Sequence, residues 1–135
     1  MRHALIALII IILSALNSEA QSMSSRKNYN TSELRLSRDF EGETVDFTKK
    51  YMVSKDFSVF KLQIRGVVDK GVITIVLTKP DGEQFKTIDV DPASDVRYTQ
   101  TVDLRTEPEK YAGEWQIRIK TDNAEGSYSL TLYVR

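Results

Sequence analysis

The stretch FKLQIRGVVDKGVITIVL, residues 60–77, determines the fold of this chain. Its first half alternates, with Phe60, Leu62 and Ile64 separated by polar residues. Alternate side chains of an extended strand point to opposite faces of a sheet, so this pattern predicts a strand with one buried and one solvated face. Its second half, residues 72–77, is apolar on both parities, which predicts a strand in the middle of its sheet.

The same two-residue period recurs from Glu33 to Val134, in about eight runs. Their apolar positions are Leu34 and Leu36; Val45 and Phe47; Phe60, Leu62 and Ile64; Ile73, Ile75 and Leu77; Ile88 and Val90; Val96, Tyr98, Val102 and Leu104; Trp115, Ile117 and Ile119; and Tyr128, Leu130, Leu132 and Val134. Short one-sided strands at this spacing predict an all-β fold, a two-sheet antiparallel sandwich of jelly-roll-like form with about eight strands.

Three segments rich in turn-forming residues are predicted to join these strands. In residues 79–82, Lys-Pro-Asp-Gly, proline suits the first corner of a turn and glycine can adopt a positive φ. Residues 69–71, Asp-Lys-Gly, and residues 123–126, Asn-Ala-Glu-Gly, have the composition of hairpin loops. We therefore expect a chain reversal at each of the three.

Four segments resemble strands of a known group of exported domains. They are VVDKGVITI at residues 67–75, TKPDG at 78–82, YAGEWQIRI at 111–119 and GSYSL at 126–130. Residues 57–134 are similar through them to the galactose-binding-like jelly rolls, which include pre-peptidase C-terminal domains and the P domains of proprotein convertases. The resemblance implies a β-sandwich that accompanies an enzyme or binds sugar or protein.

The first twenty residues have the layout of a secretory signal peptide. Arg2 and His3 precede an apolar run at residues 4–13, and Ser18 and Ala20 occupy the small-residue positions of a cleavage site. The run is shorter than the roughly 20 residues that span a membrane. We therefore predict a signal peptide at 1–20, a flexible N-terminal segment at 21–32 and a sandwich domain at 33–135, periplasmic or secreted. Retention of residues 1–20 as an anchor is the alternative; after cleavage we expect no stable membrane anchor.

The composition argues against most catalytic chemistry. The chain has no cysteine, and its single histidine, His3, lies in the predicted signal peptide. A nucleophile activated by histidine is therefore excluded from the exported part. The 19 basic residues are balanced by 19 acidic ones, so no cationic excess indicates nucleic-acid binding. We expect a non-enzymatic binding or interaction module of the cell envelope, with a protein or glycan partner.

The alternative is a structural accessory domain that has no ligand of its own and is stabilised by a calcium ion. Asp89, Asp91 and Asp95 place three carboxylates within one loop, and calcium prefers several hard oxygen ligands. The competing interpretation is a solvated acidic turn at Pro92, in which case no cofactor is expected.

Aromatic residues supply the remaining candidates. Trp115 shares its parity with Ile117 and Ile119 and is predicted to lie in the core. Tyr133 and Phe85 have the opposite parity to the apolar positions beside them, and Tyr111 lies in a predicted loop. Phe85, Tyr111 and Tyr133 are therefore the predicted contact surface.

Export can be tested directly. The protein isolated from its native host should begin at Gln21 or within a few residues of it, because the small-residue exit ends at Ala20. N-terminal sequencing measures this, and an intact Met1 on a cytosolic product would contradict the prediction.

Overall fold

The computed structural model describes residues 22–28 and 31–135. The strands in this part of the chain are β1 (Ser22–Asn28), β2 (Thr31–Glu43), β3 (Asp46–Val53), β4 (Val59–Thr78), β5 (Gln84–Val90), β6 (Val96–Asp103) and β7 (Gly113–Val134). A four-residue helix, α1 (Pro108–Tyr111), precedes β7. The predicted signal peptide lies outside the described residues, within which no helix has the length and apolar character needed to cross a membrane.

Two long strands, β4 with 20 residues and β7 with 22, run through both layers of the sandwich. The first half of β4 and the second half of β7 pair with each other between β6 and β2, and β1 is added outside β2. The other halves of β4 and β7 pair with each other between β5 and β3. The first group is called the five-stranded layer and the second the four-stranded layer. All pairings are antiparallel, so the predicted all-β sandwich is confirmed.

The burial pattern shows where each long strand passes between layers. In β4, buried residues fall on even positions up to Val68 and on odd positions from Ile73 onward. In β7, they fall on odd positions up to Thr121 and on even positions from Ala124 onward. The β4–β7 pairing shifts register on either side of Lys70. An extra residue at a bulge lets the strand bend while its apolar side chains continue to face the core.

Two of the three predicted chain reversals are therefore wrong. Residues 69–71 and 123–126 are bends within β4 and β7, because the chain on either side of each bend pairs with the other long strand instead of folding back on itself. A glycine-containing bend has the same composition as a hairpin loop, so the local sequence did not distinguish them. Each bend joins two predicted strands into one long strand, and β1 is a strand that the sequence pattern does not predict. The described part of the chain therefore has seven strands, where the sequence predicts about eight.

The bends require glycine because the two long strands approach closely there. Gly71 has φ +74°, and a Cβ atom at this position would lie 2.3 Å from the carbonyl oxygen of Asp122. A Cβ atom at Gly126 would lie 2.1 Å from the carbonyl oxygen of Val67. Each glycine thus lies against the backbone of the other strand, at a separation that no side chain permits.

The third predicted turn is confirmed. The amide of Gly82 donates to the carbonyl of Lys79 at 3.0 Å, and Gly82 has φ +85°. This turn joins β4 to β5, and residues 72–77 lie between β5 and β7, which confirms their central position.

The sheet also begins earlier than the sequence predicts. Residues 22–28, within the predicted flexible segment at 21–32, pair antiparallel with β2 from Thr31 to Ser37. Met23, Ser24 and Ser25 are exposed, so no described side chain of β1 is buried. Backbone hydrogen bonds to β2 account for this strand, and a hydrophobic pattern does not reveal such a contribution.

The core is densest where aromatic rings meet. Trp115 is fully buried and stacks on Phe60 with ring centroids 4.6 Å apart, which confirms its predicted place in the core. Its indole Nε1 donates to the carbonyl of Tyr111 at 2.8 Å, so the polar atom of the ring is satisfied.

The close approach of β4 and β7 at the bends can be tested by comparing Gly71 with Gly82, two glycines of similar φ. A Cβ atom added at Gly82 would meet no other atom within 4 Å, so Gly82→Ala should cost only the positive-φ strain, about 1–2 kcal/mol. Gly71→Ala adds a backbone overlap and should cost at least about 2 kcal/mol more. Urea unfolding followed by Trp115 fluorescence measures both, and equal losses would contradict the close approach.

Removal of the central aromatic side chain tests the core. Trp115→Ala should lower the free energy of unfolding by about 3–5 kcal/mol because a large buried ring is lost. Chemical denaturation followed by circular dichroism measures the loss, and Met52→Ala, at a side chain that is 62% exposed, is the control. A loss below about 1 kcal/mol would contradict the burial of Trp115.

Candidate ligand-binding groove

An open groove of about 430 Å³ lies on the outer face of the five-stranded layer. Strands β2, β4, β6 and β7 supply its lining, together with the residue after β7: Glu33, Arg35, Val59, Lys61, Gln63, Thr101, Thr131, Tyr133 and Arg135. Most of these side chains are polar, as expected for the solvated face of a half-buried sheet.

The register of the strands arranges this lining in rows. Tyr133 lies directly opposite Lys61 on β4 and Glu33 on β2. Thr131, two residues earlier on β7, lies opposite Gln63 and Arg35 in the same way. Side chains at directly opposed positions are close enough to act on one ligand. Tyr133 is half-buried, and its ring is therefore an aromatic surface surrounded by hydrogen-bonding groups.

The charges in the groove are unequal. Glu33 accepts a hydrogen bond from Nε of Arg35 at 2.5 Å, so this carboxylate is already paired. Within the described part of the chain, the side chains of Lys61 and Arg135 form no ion pair or hydrogen bond. Three cationic side chains therefore face a single carboxylate, and two of the three remain available to a ligand.

Of the three aromatic residues predicted to form a contact surface, only Tyr133 lines the groove. Phe85 and Tyr111 are partly buried against Trp115, with ring centroids 5.1 Å and 6.3 Å from it. A bulge explains why Phe85 faces the core. Leu77 pairs with Lys86 and Thr78 pairs with Gln84, so Phe85 has no partner on β4. The residue left over at the bulge turns toward the core, which strand parity alone does not predict.

The three aspartates of the predicted calcium site do not converge on one point. Asp89 accepts a hydrogen bond from Oγ1 of Thr74 at 2.7 Å, and Asp91 accepts one from the amide of Ala93 at 2.9 Å. No group of three or more acidic, histidine or cysteine side chains suited to a metal occurs among residues 22–28 and 31–135. Asp91 thus caps the turn near Pro92, and the structure does not bring Asp89, Asp91 and Asp95 together as a metal site.

Groups with shifted pKa values lie outside the groove, and each shift has a local structural cause. Hydrogen bonds from Arg105 lower the pKa of Asp103 to about 2. A hydrogen bond to Glu83 raises the pKa of Lys79, whereas burial raises the pKa of the Tyr51 hydroxyl. These are ion pairs and a buried phenol, and they do not form the convergent cluster typical of a catalytic site.

The sequence did not identify most of the groove. Lys61, Gln63 and Thr131 are the polar positions between buried residues of their strands. Every half-buried strand has such positions, so nothing in the local pattern singles them out. Only the pairing of β4 with β7 places them beside Tyr133.

Comparisons with known proteins find distant structural similarity. No family model matches the chain, and no curated protein matches it. A pilus structure from Bacillus endospore appendages is 15% identical, covers 84% of this chain and 95% of its own, and has a TM-score of 0.46. A carbohydrate-binding module specific for non-crystalline cellulose is 9% identical, with coverage of 82% and 76% and a TM-score of 0.43.

A carbohydrate-binding module from Cellvibrio mixtus lichenase 5A, in complex with cellotriose, is 10% identical, with coverage of 85% and 86% and a TM-score of 0.41. At these identities and TM-scores, the ligands of the neighbours carry no argument about this chain. The β-sandwich implied by the galactose-binding-like resemblance is present, whereas kinship with pre-peptidase or P domains stays a prediction.

Proposed function

We propose that this protein is an exported, non-catalytic glycan-binding module and that the groove on the five-stranded layer holds its ligand. The observation that carries this proposal is Tyr133, half-buried in the middle of an open polar groove between Lys61 and Glu33. A sugar ring presents an apolar face of C–H groups and a rim of hydroxyls. An aromatic ring surrounded by donors and acceptors complements both parts.

The hydrogen-bonding groups of the groove suit hydroxyl ligands. Gln63 supplies both a donor and an acceptor, Thr101 and Thr131 supply hydroxyls that can act either way, and Arg35 supplies donors only. The groove crosses four neighbouring strands and is open to solvent. This form suits a chain that continues beyond the site better than a small molecule enclosed on all sides.

The same lining supports a non-catalytic role. Glycoside hydrolysis commonly requires two carboxyl groups on either side of the scissile bond. Among the nine side chains that line the groove, Glu33 has the only carboxyl group, and Arg35 pairs with it. With no cysteine in the chain and His3 as its only histidine, binding is the function that these residues support best.

The proposed location follows from the sequence. The signal-peptide layout of residues 1–20 indicates export, and the glycans of a cell envelope or its surroundings are then within reach of the protein. A protein partner is the alternative, and it is an outcome of the test below.

Tyr133→Ala tests the groove. The variant should bind its polysaccharide at least tenfold more weakly than the original chain, about 1.4 kcal/mol, because the stacking surface is lost. Tyr133→Phe keeps the ring and should retain most of the affinity. Affinity electrophoresis and titration calorimetry against a panel of neutral and acidic polysaccharides measure the change.

Met52→Ala is the control, since Met52 is exposed on the outer face of the four-stranded layer. Thermal melting of each variant separates loss of binding from loss of folding. The proposal would be wrong if no polysaccharide bound, if the protein bound only an envelope protein, or if Tyr133→Ala bound as tightly as the original chain.

A further inference from the structure

Beyond the Tyr133 row, two arginines lie side by side on the same outer face. Arg65 of β4 and Arg97 of β6 are directly opposed in the antiparallel register, and both are exposed. Opposed side chains have Cβ atoms about 5 Å apart, and like charges at this separation destabilise a sheet. A ligand that binds both arginines would account for this repulsive pair, which otherwise only disfavours folding.

Among the described residues, no carboxylate forms an ion pair with either arginine. The other register neighbour of Arg65 is Ser129 on β7. Neither guanidinium takes part in an ion pair or hydrogen bond within the part of the chain that the structure describes. Both forks are therefore free to bind an anion from solution.

The pair is continuous with the groove. Gln63 lies opposite Thr99 in the next outward row, and Lys61 lies opposite Thr101 in the row after that. Lys61 and Arg65 are four residues apart on one strand face, which separates their Cα atoms by about 13 Å. Cations thus recur along β4 with a neutral hydrogen-bonding residue between them.

The opposite outer face of the molecule is different. On the four-stranded layer, Arg118 forms two hydrogen bonds with Asp46, at 2.8 Å and 2.6 Å, and Lys50 lies 3.6 Å from Glu114. The Arg118 guanidinium also lowers the pKa of the Asp46 carboxyl. Because the whole chain has 19 basic and 19 acidic residues, the unpaired Lys61, Arg65 and Arg97 are a local excess of positive charge and not a consequence of the net charge.

We propose that the ligand of this face is an anionic polysaccharide, one with carboxylate or sulfate groups along its chain; this inference rests on the proposed glycan-binding function. Tyr133 and the polar groove hold the sugar rings, while Lys61 and the Arg65–Arg97 pair bind the acidic groups. Arginine presents a planar fork that matches a carboxylate or a sulfate with two parallel hydrogen bonds. A nucleic acid fits less well, because its recognition requires a much larger cationic surface.

The test measures binding of the full chain to three soluble polymers, namely polygalacturonate for carboxylates, dextran sulfate for sulfates and hydroxyethyl cellulose as a neutral polymer, and to a single-stranded oligonucleotide. At least one anionic polymer should bind at least tenfold more tightly than the neutral one in about 50 mM salt, and its affinity should fall as salt is raised. The two anionic polymers distinguish carboxylate from sulfate.

Arg65→Gln combined with Arg97→Gln should lower the affinity for the anionic polymer at least tenfold and reduce its salt dependence. The melting temperature should not fall, because a like-charge contact is removed. The matched control, Lys50→Gln with Lys120→Gln, removes two cations from the outer face of the four-stranded layer and should change the affinity less than twofold.

The outcomes separate this inference from the proposed function. Tighter binding of the neutral polymer, with a loss in Tyr133→Ala, would overturn the anionic ligand and leave the glycan-binding proposal standing. Absence of binding to all three polymers would overturn both. Preference for a single-stranded oligonucleotide over every polysaccharide, or equal losses in the two double variants, would also contradict the inference.

Discussion

The contact between the two long strands at their bends is the constraint on which the rest of the structure depends. Gly71 lies against the backbone of β7, and Gly126 lies against the backbone of β4. Both strands leave one layer and enter the other at this point, so the two layers share a continuous backbone. A side chain at either glycine would push the two strands apart. The pairing of β4 with β7, the most extensive pairing among the described strands, would then be disrupted.

The groove is a consequence of that pairing. The first half of β4 and the second half of β7 can lie together only after both strands have bent, and β2 and β6 then extend the layer on either side. Tyr133, Lys61 and Glu33 share a row because the register is fixed by the buried residues behind them. A slip of one residue would turn every one of these side chains toward the core.

The edge strands of the four-stranded layer, β3 and β5, carry lysines that disfavour binding of a partner by strand addition. Lys49 of β3 lies on the inward parity opposite buried Ile117, and Lys86 of β5 lies over the ring of Tyr98 at 4.5 Å. Charged residues that point inward on edge strands discourage pairing with another strand. These two edges are therefore protected against pairing with another strand, which is consistent with the proposed use of the solvated face of the five-stranded layer.

The sequence by itself determined the features that depend on local backbone geometry. Strand alternation predicted the antiparallel sandwich, the burial of Trp115 and the outward position of Tyr133, because side-chain direction in an extended chain is set by parity. The proline and glycine of residues 79–82 predicted the turn there, because both residues favour the backbone angles of a turn. Tertiary structure alone decided the features that depend on distant partners. The bends at Gly71 and Gly126, the inward Phe85, the separate aspartates and the neighbours of Tyr133 follow from strand register, which joins residues far apart in the chain and leaves no local signal.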